Sequence, residues 1–310
     1  MKPKWNTRYW IVTIVWAGCV QAFAEPFAEG PYLGQTPPGP IAKVFAPGLI
    51  CHAEPRRWEA NGTFSADCNT FCFQRVSGIF ITENTDQGWT TPELIRSIPA
   101  NVYSPWSACL SPDANSIFFT RALLKPEFKR DLYRCNRTAR GWAKPEQLGP
   151  PFSSPDKEIS CSIAANNNIY LCSGRNRWDG GSWIWVVPFV GNTWSRAIPI
   201  TLNHTPLRTC SPGIAPDESF MVFYSIKPGA VGGTETNLYL TLRRPDGTWT
   251  IPRNMGPGIN TGYYEHGARI SPDKKYMFFN RSSGWDPRIY SVHSDICWVE
   301  LKEYLPESYR

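Results

Sequence analysis

Residues 270–281 read ISPDKKYMFFNR, and this stretch decides the fold. Its apolar first residue ends one strand, Ser-Pro-Asp turns the backbone, and the aromatic run that follows starts a strand in the opposite direction. Related stretches have their turns at residues 65, 111, 164, 215 and 271, so successive copies lie 46, 53, 51 and 56 residues apart. A period in this range indicates an array of similar supersecondary units.

Two further landmarks recur in step with this turn. One is an apolar strand such as Asp131-Leu132-Tyr133, and the other is a Gly-Trp or Gly-x-Trp element, as at Trp142 and Trp194. One repeat therefore contains strand, turn, strand, loop, strand, Trp turn and strand, which is the make-up of a four-stranded propeller blade. The sequence predicts an all-β fold, a β-propeller of five four-stranded blades, with six if one blade is too degenerate to recognise.

The two ends of the repeat array are predicted to meet. The fifth repeat has no outer strand after Trp298, whereas residues 42–50 resemble the outer strands of the other repeats. We therefore expect an N-terminal strand to complete the last blade and close the ring, because closure removes the open sheet edges that an arc of blades would expose. The propeller is placed at residues 41–303, followed by a C-terminal tail at 304–310.

The N-terminal region is typical of an exported protein. Lys2, Lys4 and Arg8 precede an apolar run, and small residues around Ala24 suit a cleavage site, so residues 1–24 are predicted to be a signal peptide. The run is too short to favour a membrane span. The alternative is a lipid anchor at Cys19. Residues 25–40 have the composition of an extended, poorly ordered arm. The predicted location is periplasmic or secreted.

Composition narrows the class of partner. Cleavage after Ala24 would remove three cations and no acids, so the formal charge of +6 would become +3. No run of clustered Lys or Arg occurs in the chain. Such a mild balance does not indicate a nucleic-acid partner or an anionic membrane surface. Aromatic residues make up 14% of the chain, which suits blades that pack face to face through large side chains.

The chain resembles a known family, the TolB-like, WD-type propeller repeats of bacterial periplasmic proteins. The resemblance rests on the Ser-Pro-Asp turns, the aromatic strands after them and strands of the Asp131-Leu132-Tyr133 type, and it covers roughly residues 40–303. It implies a propeller and a role in interactions within an envelope complex. The glycine that follows Ser-Pro-Asp in the family, which supports the tight turn, is replaced in every copy: by Cys68, Ala114, Asn167, Glu218 and Lys274.

Cysteine usage suggests a disulfide. The chain has ten cysteines, nine after cleavage, in a compartment predicted to be oxidising. If the turn at residues 164–168 closes a two-stranded ladder, Cys161 and Cys172 lie nearly opposite one another, where a cross-strand bridge is geometrically possible. The alternative is that both act as small apolar packing residues.

One column of residues is the candidate site. The residues six before each turn are Glu59, Pro105, Glu158, Thr209 and Glu265. The first strand of a blade lines the central channel, so this column should converge at one mouth, where carboxylates beside aromatic and Arg side chains can hold a ligand. The alternative is that each Glu bonds the backbone at a blade junction. The candidate ligand-binding residues are Glu59, Trp106, Glu158, Arg208, Glu265 and His266.

Catalytic and metal-binding motifs are missing from the sequence. The four histidines form no tight pair, no Gly-x-Ser-x-Gly elbow occurs, and the spacing of Cys68 and Cys72 does not fit a redox or zinc motif. We therefore assign no catalytic residue, metal or cofactor. The favoured function is a non-catalytic propeller that binds a protein or glycan partner. The alternative is an extracellular glycosidase or lyase, for which Glu59, Glu158 and Glu265 would have to supply paired carboxylates.

Overall fold

The computed structural model describes residues 27–52, 58–99, 106–122, 130–175, 183–202, 208–226, 236–283 and 293–310. Within these ranges the chain forms five antiparallel sheets with four main strands each, two of which have an additional short strand, and one separate two-stranded hairpin. The first strands of the five sheets contact one another in cyclic order, so the sheets are the blades of a β-propeller. The predicted all-β fold with five blades is confirmed. Residues 1–24, with the predicted signal peptide and Cys19, lie outside the described residues.

Each blade runs from an inner first strand to an outer fourth strand. Blade 1 consists of β2 (Glu59–Phe64), β3 (Thr70–Arg75), β4 (Gly78–Thr85) and β6 (Glu93–Leu94), and the short strand β5 (Gly88–Trp89) extends β4 as a hairpin. Blade 2 consists of β7 (Trp106–Leu110), β8 (Ser116–Ala122), β9 (Arg130–Thr138) and β11 (Glu146–Gln147), with β10 (Gly141–Trp142) paired to the end of β9.

The other three blades follow the same order. Blade 3 consists of β12 (Glu158–Ile163), β13 (Ile169–Ser173), β14 (Ile184–Val187) and β17 (Ile198–Pro199), with the hairpin β15 (Phe189–Val190) and β16 (Thr193–Trp194) before β17. Blade 4 consists of β18 (Arg208–Ile214), β19 (Phe220–Ile226), β20 (Thr236–Leu242) and β21 (Arg253–Asn254). Blade 5 consists of β22 (Tyr264–Ile270), β23 (Tyr276–Ser283), β24 (His293–Glu300) and β1 (Lys43–Val44).

The N-terminal strand closes the ring as predicted. Lys43 pairs with Trp298 and Val44 with Cys297, so β1 is the outer strand of blade 5. The amide of Phe45 then donates to the carbonyl of Ile296 at 2.8 Å, which carries the contact beyond the strand. The chain therefore contributes its beginning and its end to one sheet.

Apolar packing is organised by blade junctions. Each of the five core clusters draws its residues from two neighbouring blades, because a strand buried on both faces must pack against a blade on either side. Aromatic second strands supply much of this surface, and Phe71, Phe119, Phe223 and Phe279 are all at most 1% exposed. Burying such a side chain contributes roughly 1.5–3 kcal/mol. The aromatic repeat seen in the sequence is therefore the source of the junctions.

The turns after the first strands keep a tight form without glycine. All five replacement residues have a positive φ, between 57° and 67°: Cys68, Ala114, Asn167, Glu218 and Lys274. Polar side chains stabilise this conformation. In blade 5, for example, Ser271 Oγ donates to Asp273 Oδ1 at 2.7 Å, and the same oxygen accepts the amide of Lys275 at 3.0 Å. The five turns thus have a positive φ at this position without a glycine.

One position of the second strand connects each blade to the next, and we call these residues the tie column: Gln74, Thr120, Cys172, Tyr224 and Asn280. Gln74 Oε1 accepts the amide of Ala108 at 2.9 Å, and Thr120 Oγ1 donates to the carbonyl of Ile159 at 3.2 Å.

The remaining three members of the tie column use other interactions. The sulfur of Cys172 is bonded to Cys210, and the Tyr224 ring meets His266 edge to face at 6.3 Å. Asn280 Oδ1 accepts the amide of Asn61 at 2.8 Å. Every junction of the ring thus has one tie, and the five ties use different chemistry.

The disulfide prediction is wrong. Cys172 is bonded to Cys210 of the next blade, with a Cα–Cα distance of 5.2 Å, and Cys161 is a buried free thiol. The register explains this result, because Cys161 lies opposite Leu171 whereas Cys172 lies opposite Ser160. Side chains alternate between the two faces of a sheet, so the thiols of Cys161 and Cys172 point to opposite faces.

The N-terminal arm differs from the extended, poorly ordered segment predicted. Residues 31–34 form a 3-10 turn, Leu33 is 1% exposed, and Trp89 Nε1 donates to the carbonyl of Gly30 at 2.8 Å. The arm is ordered because it buries apolar side chains against the cluster between blades 5 and 1. The C-terminal tail also packs, since the Tyr309 hydroxyl donates to the carbonyl of Arg243 at 2.9 Å. No helix among the described residues is long and apolar enough to span a membrane.

Candidate functional site

The ring has two ends with different surfaces. We call the end where the first strands begin the entry face and the end that carries the turns after those strands, such as residues 65–70, the turn face. All five first strands contain an irregularity in their pairing with the second strand. Asn61, Ser107 and Ser211 have positive φ values at these bulges, as has Gly267. Bulges of this kind re-aim side chains and disrupt the pairing of the strand locally.

An aromatic and cationic surface lies at the entry face. The rings of Trp58 and Trp106 meet edge to face with their centroids 5.4 Å apart, and the guanidinium of Arg130 lies 5.5 Å from the centroid of the Trp106 ring. Both tryptophans are partly exposed. Aromatic faces beside a guanidinium are suited to the apolar face of a sugar or to side chains of a protein partner.

The glutamates of blades 3 and 5 are held in ion pairs. Glu158 Oε1 lies 3.2 Å from Arg175 Nη2, and Glu265 Oε1 lies 3.1 Å from Arg281 Nε. A hydroxyl four residues earlier also donates to the same oxygen: Ser154 at 2.7 Å for Glu158, and Thr261 at 2.6 Å for Glu265. Both carboxylates are 0% exposed. We call this arrangement the Glu–Arg clamp.

The arginine of each clamp also holds the incoming connection from the previous blade. Arg175 donates to the carbonyls of Pro151 and Phe152, at 2.9 and 2.6 Å, and Arg281 donates to the carbonyl of Ile259 at 2.9 Å. The clamp therefore joins the start of the first strand, the end of the second strand and the connection between blades. This geometry supports the interpretation of Glu158 and Glu265 as junction residues.

The pKa values of the two clamp glutamates are raised. Burial raises the pKa of both Glu158 and Glu265, and the hydroxyl hydrogen bonds and the arginines oppose that rise. The second oxygen, Oε2, of each carboxyl has no hydrogen-bond partner within the described residues. Both carboxyls are therefore enclosed by the protein and bonded to side chains of their own blade.

Glu59 occupies the same column in blade 1 but has different neighbours. Its Oε1 lies 3.7 Å from Arg75 Nε, and Arg75 Nη2 donates to the carbonyl of Ile50 at 3.0 Å. The thiol of Cys51 and the carboxylate of Asp295 also lie beside it, with one donor atom from each of the three residues within 4.8 Å of the others. The blade 1 arrangement is therefore a variant of the clamp.

His266 belongs to a polar network between blades 5 and 1. Its Nε2 lies 3.1 Å from Ser282 Oγ, and its Nδ1 lies 3.4 Å from Asn280 Nδ2. Burial lowers the pKa of His266 to about 4, and the positive charge of Arg269 adds to that effect. The imidazole is thus neutral at physiological pH, where it accepts a hydrogen bond rather than carrying charge.

Arg269 obstructs the axis below this network. It is 3% exposed, and its Nη2 reaches from blade 5 to Ser107 Oγ at 3.3 Å and the carbonyl of Ala108 at 3.4 Å in blade 2. On the turn-face side, a cavity of about 60 Å³ lies between Arg269, Cys109 and Ser162. A cavity of this size holds a few water molecules but no sugar ring. Among the described residues, Arg269 therefore crosses the ring from blade 5 to blade 2 and obstructs passage of a ligand along the axis.

A pair of buried thiols lies next to Arg269. A hydrogen bond from the thiol of Cys161 lowers the pKa of Cys109, and Arg269 contributes to that shift while burial opposes it. The same interaction raises the pKa of Cys161. Cys109 is therefore the more acidic of the two thiols.

The predicted site residues do not all share one environment. Trp106 lies in the aromatic surface at the entry face, whereas Glu158 and Glu265 are in clamps and His266 is in the polar network. Glu59 lies in its own variant of the clamp, and the side chain of Arg208 lies outside the described part of the chain. Arg130 and Arg269 were not predicted, because neither stands in the repeated column that pointed to the others.

The chain has structural similarity to known propellers without sequence similarity to a family. The sequence matches no protein-family model, and it matches no curated protein. A xylan beta-1,4-xylosidase from Bacillus halodurans C-125 superposes with a TM-score of 0.51 at 12% identity, over 80% of this chain and 54% of that chain. An alpha-L-arabinofuranosidase from Lactobacillus brevis gives a TM-score of 0.51 at 10% identity, over 77% and 90% of the two chains.

TolB proteins are also among the structural neighbours. TolB from Acinetobacter baumannii superposes with a TM-score of 0.47 at 11% identity, over 78% of this chain and 54% of that chain. The chain thus spans about half the length of this TolB and of the xylosidase. At these identities the xylosidase and the arabinofuranosidase support the propeller fold alone, and what they cleave does not transfer to this chain.

Proposed function

We propose that this chain is an exported, non-catalytic propeller that binds a protein or glycan partner through the aromatic surface at its entry face. The observation that carries the proposal is the Glu–Arg clamp. Glu158 and Glu265, two of the three glutamates of the candidate column, are fully buried and bonded to arginines, which favours a structural role for them. Binding is then left to Trp58, Trp106 and Arg130.

The composition of that surface supports a partner of protein or glycan chemistry. Trp and Arg are enriched among the residues that dominate binding energy at interfaces, because they combine a large contact area with a polar or charged group. The Trp58 and Trp106 rings, packed edge to face, and Arg130 against Trp106 form a preorganised surface whose side chains lose little rotamer freedom on binding. The mild net charge gives no support to nucleic acid.

The test uses two matched tryptophan variants of the full chain. Trp106→Ala removes the Arg–Trp pair at the entry face, whereas Trp142→Ala removes the pair with Arg137, whose guanidinium lies 5.7 Å from the Trp142 ring at the other end of blade 2. We expect capture of a protein from an envelope extract, or of one glycan from an immobilised set. Trp106→Ala should weaken binding of the captured protein or glycan by about 30-fold. Equal binding by Trp106→Ala and wild type would refute the proposal.

The alternative function is a carbohydrate-active enzyme. A glycosidase needs two carboxyl groups about 5–9.5 Å apart that flank the scissile bond, one of them as a general acid. The structural similarity to a xylosidase and an arabinofuranosidase shows that enzymes of this class have a similar fold, and it is the reason for testing this alternative. Turnover of a xylan or arabinan that is lost in Glu158→Gln or Glu265→Gln, with stability retained, would support the enzyme in place of the binding protein.

Location and family membership are part of the same proposal. A signal peptide at residues 1–24 would place the mature chain in the periplasm or outside the cell, with a lipid anchor at Cys19 as the alternative. The Ser-Pro-Asp repeat supports membership of the TolB-like, WD-type repeat family. N-terminal sequencing and the mass of the protein recovered from an envelope fraction distinguish cleavage after Ala24 from lipidation.

A further inference from the structure

The seam of the ring brings three metal-binding side chains together. Cys51 follows the N-terminal strand, Glu59 begins blade 1, and Asp295 lies in β24 of blade 5. One ligand atom from each lies within 4.8 Å of the other two. Asp295 is far from the other two residues in sequence, so the cluster exists only because blade 5 is closed against blade 1.

A comparison within the repeat shows what is unusual at this position. Glu158 and Glu265 each accept a hydrogen bond from a hydroxyl four residues earlier, at 2.7 and 2.6 Å. The residue four before Glu59 is Pro55, which has no hydroxyl. The distance to the arginine is also longer, 3.7 Å compared with 3.2 and 3.1 Å. At the seam, a thiol and a second carboxylate lie beside the Glu59 carboxylate.

The charges of the cluster favour a cation. Glu59 and Asp295 are both carboxylates, and like charges at such a separation repel one another unless a cation or a proton is shared. Arg75 approaches Glu59 and also bonds the carbonyl of Ile50, and His293 Nε2 lies 3.0 Å from Asp295 Oδ2. A divalent ion bound by the two carboxylates and the sulfur would add to the charge compensation that Arg75 and His293 provide.

The type of donor identifies the ion. Calcium and magnesium prefer sets of oxygen ligands, whereas a sulfur beside carboxylates suits zinc. Cys51 is 2% exposed, and its sulfur lies 3.7 Å from the carbonyl oxygen of Ile296 and 3.3 Å from the amide of the same residue. Zinc binding would replace the thiol proton, because a coordinating thiol is deprotonated. His293 holds the Asp295 carboxylate from outside, in the way that outer residues orient metal ligands. The Asp295 side chain is 22% exposed, which gives an ion a path to the site.

We propose that Cys51, Glu59 and Asp295 bind a zinc ion that fastens the N-terminal segment to blades 1 and 5. Three protein ligands leave a fourth tetrahedral position for water. The ion would join the beginning of the chain to its last repeat at the point where β1 contributes only two paired residues, Lys43 and Val44. The zinc site therefore acts as a latch on the closed ring, independently of the ligand surface around Trp106.

Cobalt(II) provides the direct test, since it replaces zinc and is coloured. The full chain, treated with a chelator and kept in oxygen-free buffer without added thiol, is titrated with Co²⁺. A thiolate ligand in a tetrahedral site gives a sulfur-to-cobalt charge-transfer band and intense visible bands, and we expect these at one ion per chain. Cys51→Ser should abolish the charge-transfer band, whereas Cys161→Ser, a buried thiol outside the cluster, should keep it. No band in the wild type, or the same band in Cys51→Ser, would overturn the proposal.

Zinc-dependent stability is the second measurement. Zn²⁺ should raise the Tm of the wild type and of Glu265→Gln, and should not raise that of Asp295→Asn. His293→Gln, which removes the orienting contact, should weaken zinc binding about 10- to 100-fold. Stabilisation of the wild type and Asp295→Asn to the same extent, or stabilisation by Ca²⁺ and not by Zn²⁺, would contradict a site built on Cys51 and Asp295.

Discussion

Two junctions of the ring meet the same structural demand with different chemistry. Blades 3 and 4 are joined by the Cys172–Cys210 disulfide, whose residues are 38 positions apart. Blades 5 and 1 are joined by aromatic packing around Phe45 and by hydrogen bonds of Asn280. The second junction joins segments from opposite ends of the chain, and a cluster of aromatic side chains packs between them. From this comparison we expect apolar packing at the junction of blades 5 and 1 to contribute more to the free energy of unfolding than the disulfide between blades 3 and 4.

The largest effect should come from the seam. Phe45 is 0% exposed and its ring lies within 5.0–6.2 Å of the rings of Phe64, Phe71, Phe278 and Trp298. Phe45→Ala should lower the free energy of unfolding by about 3–5 kcal/mol, because it leaves a cavity among these rings. Urea denaturation measures the loss. Val44→Ala, at a position 37% exposed in the same segment, should stay within about 0.5 kcal/mol. Equal losses would show that the seam does not depend on this ring.

The disulfide should contribute somewhat less. Replacing Cys172 and Cys210 by Ser should lower the free energy of unfolding by about 2–4 kcal/mol, as expected when a cross-link no longer restricts the unfolded chain. Reduction of the wild type should give a similar loss, and reductant should have no further effect on the double variant. If the double variant loses more than Phe45→Ala, the ranking of the two junctions is reversed.

The disulfide also shows where sequence reasoning stops. Closure of the ring and the blade repeat were predictable, because turns and aromatic strands recur along the chain at a visible period. The Cys partner was not, because blade 3 has a shorter turn. Its Ala164 amide bonds the carbonyl of Asn168, whereas the Ser65 amide bonds that of Thr70, one residue farther. One residue fewer in the turn shifts the strand register by one, so each side chain lies opposite a different partner. The side chain of Cys172 therefore faces the next blade, where it meets Cys210.

The residues of the candidate site were visible in the sequence, but the contacts between them were not. The column of Glu59, Glu158 and Glu265 was visible in the repeat, and so was the shared position of Arg75, Arg121 and Arg281, to which the sequence assigns no function. That these two columns bond to each other depends on strand register, which places Glu59 opposite Arg75 and Glu265 opposite Arg281. Arg130 contacts Trp106 across separate strands, and no spacing in the sequence encodes that contact.

A smaller effect is expected from the polar tie at the seam. Asn280 is 1% exposed, and Asn280→Ala would leave the buried amide of Asn61 without its acceptor. The expected loss is about 1–3 kcal/mol, the penalty of desolvating an unpaired donor. Thr120→Val provides the matched change at the junction of blades 2 and 3, where a carbonyl loses one hydroxyl donor, and it should lose less. Denaturation of both variants in urea tests the order, and a greater loss for Thr120→Val would contradict it.

The smallest effect at neutral pH should belong to His266, which meets Tyr224 across the junction of blades 4 and 5. Burial lowers its pKa from 6.5 in the unfolded chain to about 4 in the folded protein. Between these values the unfolded state binds more protons, so the contribution to stability is present above about pH 6.5 and is lost as the pH falls toward 4. His266→Gln keeps a polar side chain without a titrating group. It should flatten the pH dependence of the free energy of unfolding between pH 6.5 and 5, with little change at pH 7.5. An unchanged slope would mean that the imidazole is charged in the folded ring, and that this tie is not the neutral contact that the packing indicates.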